Sequence, residues 1–112
     1  MLMPGDVVEI DLGVPIGSEA RMVRPAVVVT AARVLRGGPN VVQVVPLTRS
    51  IRNIGAEVVI EADDHNGLRA PSAAQCRHVR SIATRRIAAR LGRVGPVTLG
   101  QIRSTLAILL DL

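Results

Sequence analysis

The segment Arg24-Pro25-Ala26-Val27-Val28-Val29-Thr30 constrains this chain more than any other. Its apolar run, Ala26 to Val29, does not alternate with polar residues, so it reads as a strand covered on both faces. Proline has no N–H for a sheet ladder and is confined to a strand's first residue or to an edge. Arg24 therefore stands at the mouth of a buried strand. A planar cation at the rim of a rigid sheet suits phosphate recognition. It equally suits an ordinary strand-end arginine in water.

Other elements arrange themselves around that strand. Val7 to Ile10, after Pro4-Gly5-Asp6, reads as a first strand, and Leu12 to Val23, with Gly13, Pro15 and Gly17, as a long flexible loop. The second strand is expected from Pro25 to Ala31. A turn follows at Arg36 to Asn40, then a third strand from Val41 to Leu47, a basic loop from Thr48 to Gly55, and a fourth strand from Glu57 to Glu61. Asp63-Asp64-His65-Asn66-Gly67 is a turn whose strongest cue is Asn-Gly. Ser72 to Ile82 reads as one long strand, and Thr84 as the cap of a short helical turn through Arg85 and Arg86. Ala88 to Val94 returns as a strand. Gly95-Pro96 opens a C-terminal helix on which Leu99, Ile102, Leu106, Leu109 and Leu110 share a core-facing stripe. Many short strands and one terminal helix predict a mainly β (α+β) fold, a small open barrel of strongly bent antiparallel strands.

Composition sets the kind of core and the kind of partner. With 112 residues the chain is expected to form one domain, 1–112, and with no Phe, Tyr or Trp its core must be built from Val, Ile, Leu, Ala and Met. All 14 basic residues are arginine, and the formal charge is +5, which favours acidic partners such as nucleic acid or an acidic protein segment. Without aromatic rings, arginine planes are left as the stacking surface for bases. The single Cys76 permits no internal disulfide and fits a reducing compartment. Neither a signal peptide nor an apolar run of membrane-spanning length is present, so no membrane role and a cytoplasmic location are expected.

Metal chemistry finds no support in the residue pattern: Cys76 and His78 lie two apart, too few for a structural zinc. A glycine-rich phosphate loop before a helix is also missing. What remains is Arg24 at the start of one strand and Thr48 at the end of another, positions that neighbouring strands can bring together as a phosphate cradle. RNA supplies its own nucleophile, the 2′-hydroxyl. Cleaving it requires a proton acceptor, charge stabilisation on the phosphoryl oxygens, and help for the departing 5′-oxygen.

The chain resembles the MazF/PemK family of toxin endoribonucleases over nearly its whole length. The matching pieces are Pro4-Gly5-Asp6-Val7-Val8 before Asp11-Leu12, Gly17-Ser18-Glu19 with Arg24-Pro25-Ala26-Val27-Val28, Val45-Pro46-Leu47-Thr48, Val79-Arg80-Ser81-Ile82-Ala83, and Leu91-Gly92-Arg93-Val94. The resemblance implies a homodimer of SH3-like barrels, metal-independent cleavage of single-stranded RNA without a cofactor, and inhibition by a cognate antitoxin through an acidic segment. Arg24 and Thr48 fall on the family's catalytic arginine and hydroxyl residue, and Glu19 on the carboxylate of the loop after the first strand. The products implied are a 2′,3′-cyclic phosphate and a 5′-hydroxyl.

Glu19 serves either to accept the 2′-hydroxyl proton or to order its loop against Arg21 or Arg24. Ser18, Arg49, Arg52, His78 and Arg80 are the expected substrate contacts, with His78 alternatively a strand histidine satisfied by its neighbours. Arg85, Arg86, Arg90 and Arg93 read as exposed surface. Three positions depart from the family pattern: Glu9 stands where an aromatic residue is usual, His78 where many members carry glutamine, and Pro4 where an arginine is frequent. The alternative functions are a non-catalytic toxin of the same fold acting on DNA gyrase and an inactive binding module. The gyrase poison of this architecture uses a tryptophan near its C-terminus, which this chain lacks.

Overall fold

The computed structural model describes residues 1–13 and 23–112. Among these, seven strands run antiparallel to their neighbours: β1 (Asp6–Asp11), β2 (Val23–Val28), β3 (Val41–Thr48), β4 (Glu57–Ile60), β5 (Ser72–Gln75), β6 (Arg80–Ala83) and β7 (Ile87–Arg93). Their order is β4-β5-β3-β2-β1-β7, with β6 also paired to β3. The sheet bends but does not close, leaving β4 and β7 at its ends. Two helices complete the fold, α1 (Ala32–Leu35) and α2 (Pro96–Leu110). This is the expected mainly β open barrel with a terminal helix.

Both faces of the central strands are covered, as the unbroken apolar run of β2 required. Val7, Val27, Val45 and Leu47 pack with Val58, Ile60, Ile102 and Leu106 on one side. Val8, Ile10, Ala26, Val28, Val42 and Val44 pack with Leu35 and Ile82 on the other. Small branched side chains thus fill two thin layers rather than one thick one, each fully buried valine contributing about 1.5–3 kcal/mol.

Several local expectations are corrected. The second strand runs from Val23 to Val28, not from Pro25 to Ala31, and the chain turns into α1 so that Leu35 can close the second layer. The long strand expected from Ser72 to Ile82 is two strands, separated by a 3-10 turn at Cys76–His78. The reason lies in β3, which pairs its first half with β6 (Val44 opposite Arg80) and its last residues with β5 (Leu47 opposite Ala74). Pro46 falls where one ladder has ended and the other has not begun, so its missing N–H breaks neither. A helical turn does form at Thr84–Arg86, but Thr84 does not cap it; its hydroxyl donates to the Pro39 carbonyl at 2.8 Å. On α2, Ile102 and Leu106 are buried and Leu99 packs partly, whereas Leu109 and Leu110 are 40% and 54% exposed. The helix has outrun the barrel by then.

The turn after β4 is held by its own side chains. The Asp63 carboxylate accepts N–H bonds from His65 and Asn66, both at 2.8 Å, and buried Asn66 binds the backbone at Asp63, Leu68 and Glu61. The turn docks on β7 through Arg93 N–H to the His65 carbonyl at 2.8 Å. Docking this close demands glycine twice. A Cβ on Gly67 would meet the Leu91 carbonyl and one on Gly92 the His65 carbonyl, both inside contact distance.

Candidate active site

Pro25 is the third residue of β2, and the site opens beside it. β2 pairs with β1 from Val23 onward, but its pairing with β3 begins at Ala26, opposite Pro46. Arg24 and Pro25 are therefore ladder partners of β1 only, and the sheet parts beside the end of β3. A groove of about 560 Å³ occupies this gap, its walls formed by Glu9, Arg24, Pro25, Leu47, Thr48 and Arg49 together with Leu68, Arg69 and Leu91.

Register decides which side chains meet. Extending the Ala26–Pro46 pairing by two residues brings Arg24 level with Thr48. Opposed residues of antiparallel strands leave the sheet on the same face. Both side chains are half-buried, so each is anchored yet reachable. The Thr48 hydroxyl accepts the Ser50 N–H at 3.1 Å. That bond occupies a lone pair and leaves the O–H proton to donate outward. Arg49 and Arg69, both exposed, add positive charge along the rim.

The remaining expected contacts sort by position. Arg52 and His78 line a second, smaller notch of about 110 Å³ with Arg77, Gln75 and Glu57, apart from the groove. There the Glu57 carboxylate accepts the Arg52 N–H at 2.9 Å. His78 is on the exposed side of the 3-10 turn, not on a strand, while Cys76 is buried on its inner side with its thiol pushed up by desolvation. Arg80 lies opposite Val44 in the β3–β6 ladder, exposed and outside both cavities. Ser18 and Glu19, with the loop expected to cover the site, lie outside the described residues. Among the described residues no three His, Cys, Asp or Glu side chains are grouped to hold a metal.

Comparison with known proteins now bears on this groove. Residues 3–110 match the model of the PemK-like, MazF-like toxins of type II toxin–antitoxin systems. The chain belongs to this toxin family. A curated relative, the endoribonuclease MazF9 of Mycobacterium tuberculosis, is 37% identical over 116 residues, spanning 100% of this chain and 98% of the relative. A MazE–MazF crystal structure from Deinococcus radiodurans superposes with a TM-score of 0.81 at 26% identity, over 99% of this chain and 96% of that one. The Mycobacterium tuberculosis toxin MazF-mt6 shares the fold, with a TM-score of 0.77 at 22% identity over 96% and 97% of the two chains.

The toxin also contains site features that sequence reasoning missed. Arg69 was hidden between a turn and a strand, because nothing in the pattern says which side of the barrel that turn will occupy. Glu9 stood out only as a departure from the family. Asp6, read only as part of the Pro4-Gly5-Asp6 lead into the first strand, is fully buried; it accepts the Met3 N–H at 2.8 Å and draws in Arg90 (Nε 3.2 Å) and Arg93 (Nε 3.5 Å). Those two arginines, expected to be plain surface, tie β7 to the start of β1.

Proposed function

We propose that this toxin cleaves single-stranded RNA by attack of the 2′-hydroxyl on the adjacent phosphate, with Arg24 and Thr48 as the phosphate-binding pair. The observation that carries the reading is that both line one groove just beyond the last β2–β3 pair, where the register carried on by two residues would set them on one face. The family match and the full-length similarity to an endoribonuclease support it.

In this mechanism the 2′-oxygen forms a bond to phosphorus as the bond to the 5′-oxygen breaks. The Arg24 guanidinium spans two non-bridging oxygens, where negative charge builds up. Thr48 donates its O–H to a phosphoryl oxygen, held in aim by Ser50. Arg49 and Arg69 bind flanking phosphates. Glu19 takes the 2′-hydroxyl proton, and the leaving 5′-oxygen takes one from water. The products are a 2′,3′-cyclic phosphate and a 5′-hydroxyl. Because the nucleophile belongs to the substrate, no step calls for a metal-activated water.

With cellular RNA as its substrate, the toxin would act in the cytoplasm. An acidic antitoxin segment would inhibit by occupying the arginine-lined groove, in keeping with the MazE–MazF neighbour. A homodimer would use the open sheet edges and exposed apolar side chains such as Val41, Val59 and Leu109. Sedimentation showing a stable monomer at micromolar concentration argues against that assembly.

The deciding experiment incubates purified protein with RNA in the presence of a chelator and maps the new ends. Cleavage leaving 5′-hydroxyls, lost in folded Arg24→Ala, is the expected result. Activity that needs added metal, or survives Arg24→Ala, overturns the mechanism.

A further inference from the structure

One wall of the groove carries chemistry that phosphate binding does not use. Side chains alternate along a strand, and Glu9 is opposite Pro25 while Arg24 is opposite Ile10. Glu9 and Pro25 therefore leave the sheet on one face, Arg24 and Thr48 on the other, and the groove wraps the sheet end between them. Besides Glu9 the groove is lined by the aliphatic Pro25, Leu47, Leu68 and Leu91, with Arg69 and Ser72 also on its walls. A carboxylate set among aliphatic walls repels phosphate. It is placed to read something flat that carries hydrogen-bond donors.

Glu9 is also well fixed. Its backbone is laddered on both sides, to Pro25 of β2 and Ala89 of β7, and its side chain is half-buried. Among the described residues its carboxylate takes no ion pair. An acceptor-only group of two oxygens matches an edge offering two adjacent donors. Of the four RNA bases only guanine presents that edge, through N1–H and N2–H. Uracil offers one N–H between two carbonyls, and adenine and cytosine each set an acceptor nitrogen beside the amino group.

We infer that Glu9 reads a guanine next to the scissile phosphate, with the base lying between Pro25, Leu68 and Leu91 in place of aromatic stacking. The inference rests on the proposed RNA cleavage for its meaning, though not for its test. The position belongs to single-stranded RNA, whose splayed bases expose their Watson–Crick edges.

Binding is measured to four 2′-O-methyl tetranucleotides that differ only at one base, so the nucleophile is blocked and cleavage plays no part. The wild-type protein is expected to prefer the guanine oligonucleotide by about five- to 150-fold, the range of one good bidentate base contact. Glu9→Gln should lose that preference, whereas Arg24→Ala should weaken all four alike. No guanine preference in the wild type, or an undiminished one in Glu9→Gln, overturns the inference. Mapping cut sites for the same proteins separates the two readings. Cleavage with no guanine at a fixed position defeats the role of Glu9 alone. Glu9-dependent guanine binding by a protein that cuts no RNA defeats the proposed cleavage alone.

Discussion

Arginine stands in two different settings in this toxin, the groove and the β1–β7 seam. At the groove, Arg24 and Arg49 face a cavity of about 560 Å³ with no carboxylate paired to them among the described residues. At the seam, Arg90 and Arg93 have half-exposed side chains but turn their Nε atoms onto fully buried Asp6. The residue type is the same; the partner differs. An arginine whose charge is answered from within holds the fold, while one left unanswered at a concave rim is available to an anion from outside.

That contrast is open to direct attack. The largest effect is expected for Arg24→Ala, which should cut the cleavage rate by about 10²–10³-fold, the usual loss on removing one transition-state charge donor. Its urea midpoint should stay near the wild-type value, because Arg24 belongs to no internal pair among the described residues. A rate within a few-fold of wild type would erase the distinction between the two arginine classes. Next, Thr48→Ala should slow single-turnover cleavage by about ten- to a hundredfold, in line with a lost hydrogen bond to a charged group. Thr48→Ser, which keeps the hydroxyl, should recover most of that rate; failure to do so would assign Thr48 to the backbone of its loop.

The seam should answer in stability instead. Asp6→Asn is expected to lower unfolding free energy by about 1–2 kcal/mol in urea titrations, short of the larger loss for a wholly buried pair because both arginines reach water. Cleavage per folded molecule should change little; a large catalytic loss would mean the seam also shapes the groove. The smallest effect concerns Asp63, whose carboxyl is held below its ordinary range by the N–H bonds from His65 and Asn66. A lowered folded-state pKa means its stabilisation is present above the unfolded value and lost as pH falls through the folded one. Asp63→Asn should therefore flatten the acid limb of the stability–pH curve, and an unchanged acid limb would show that this turn does not help stabilise the groove wall.

Much of the architecture could be read in advance where side-chain chemistry is local. Asn66-Gly67 announced a tight turn and Gly95-Pro96 the start of α2, because each acts on its own backbone torsions; Pro25, expected as the first residue of its strand, is its third. The misreadings came where a distant partner rules. Ser72 to Ile82 has the pattern of one strand and is broken because β3 changes neighbours at Pro46. Leu109 and Leu110 carry the apolar stripe beyond the last strand able to cover them. At the site, Arg24, Thr48 and Arg49 do share a groove, while Arg52, from the segment between β3 and β4, shares a separate notch with Arg77 and His78 of the 3-10 turn that follows β5.

By itself the sequence determined that this protein would be a β-rich barrel with a small-residue core, a basic surface, and an arginine near the start of its second strand. Hydrophobic patterning and the torsional habits of proline and glycine act over a few residues, so they survive in one dimension. Only the tertiary structure decided which arginines are spent on a buried carboxylate, which face a groove, and that Glu9 stands across from them. Pairing register sets those outcomes. A ladder fixes at a stroke which residues, far apart in the chain, leave the sheet on the same side.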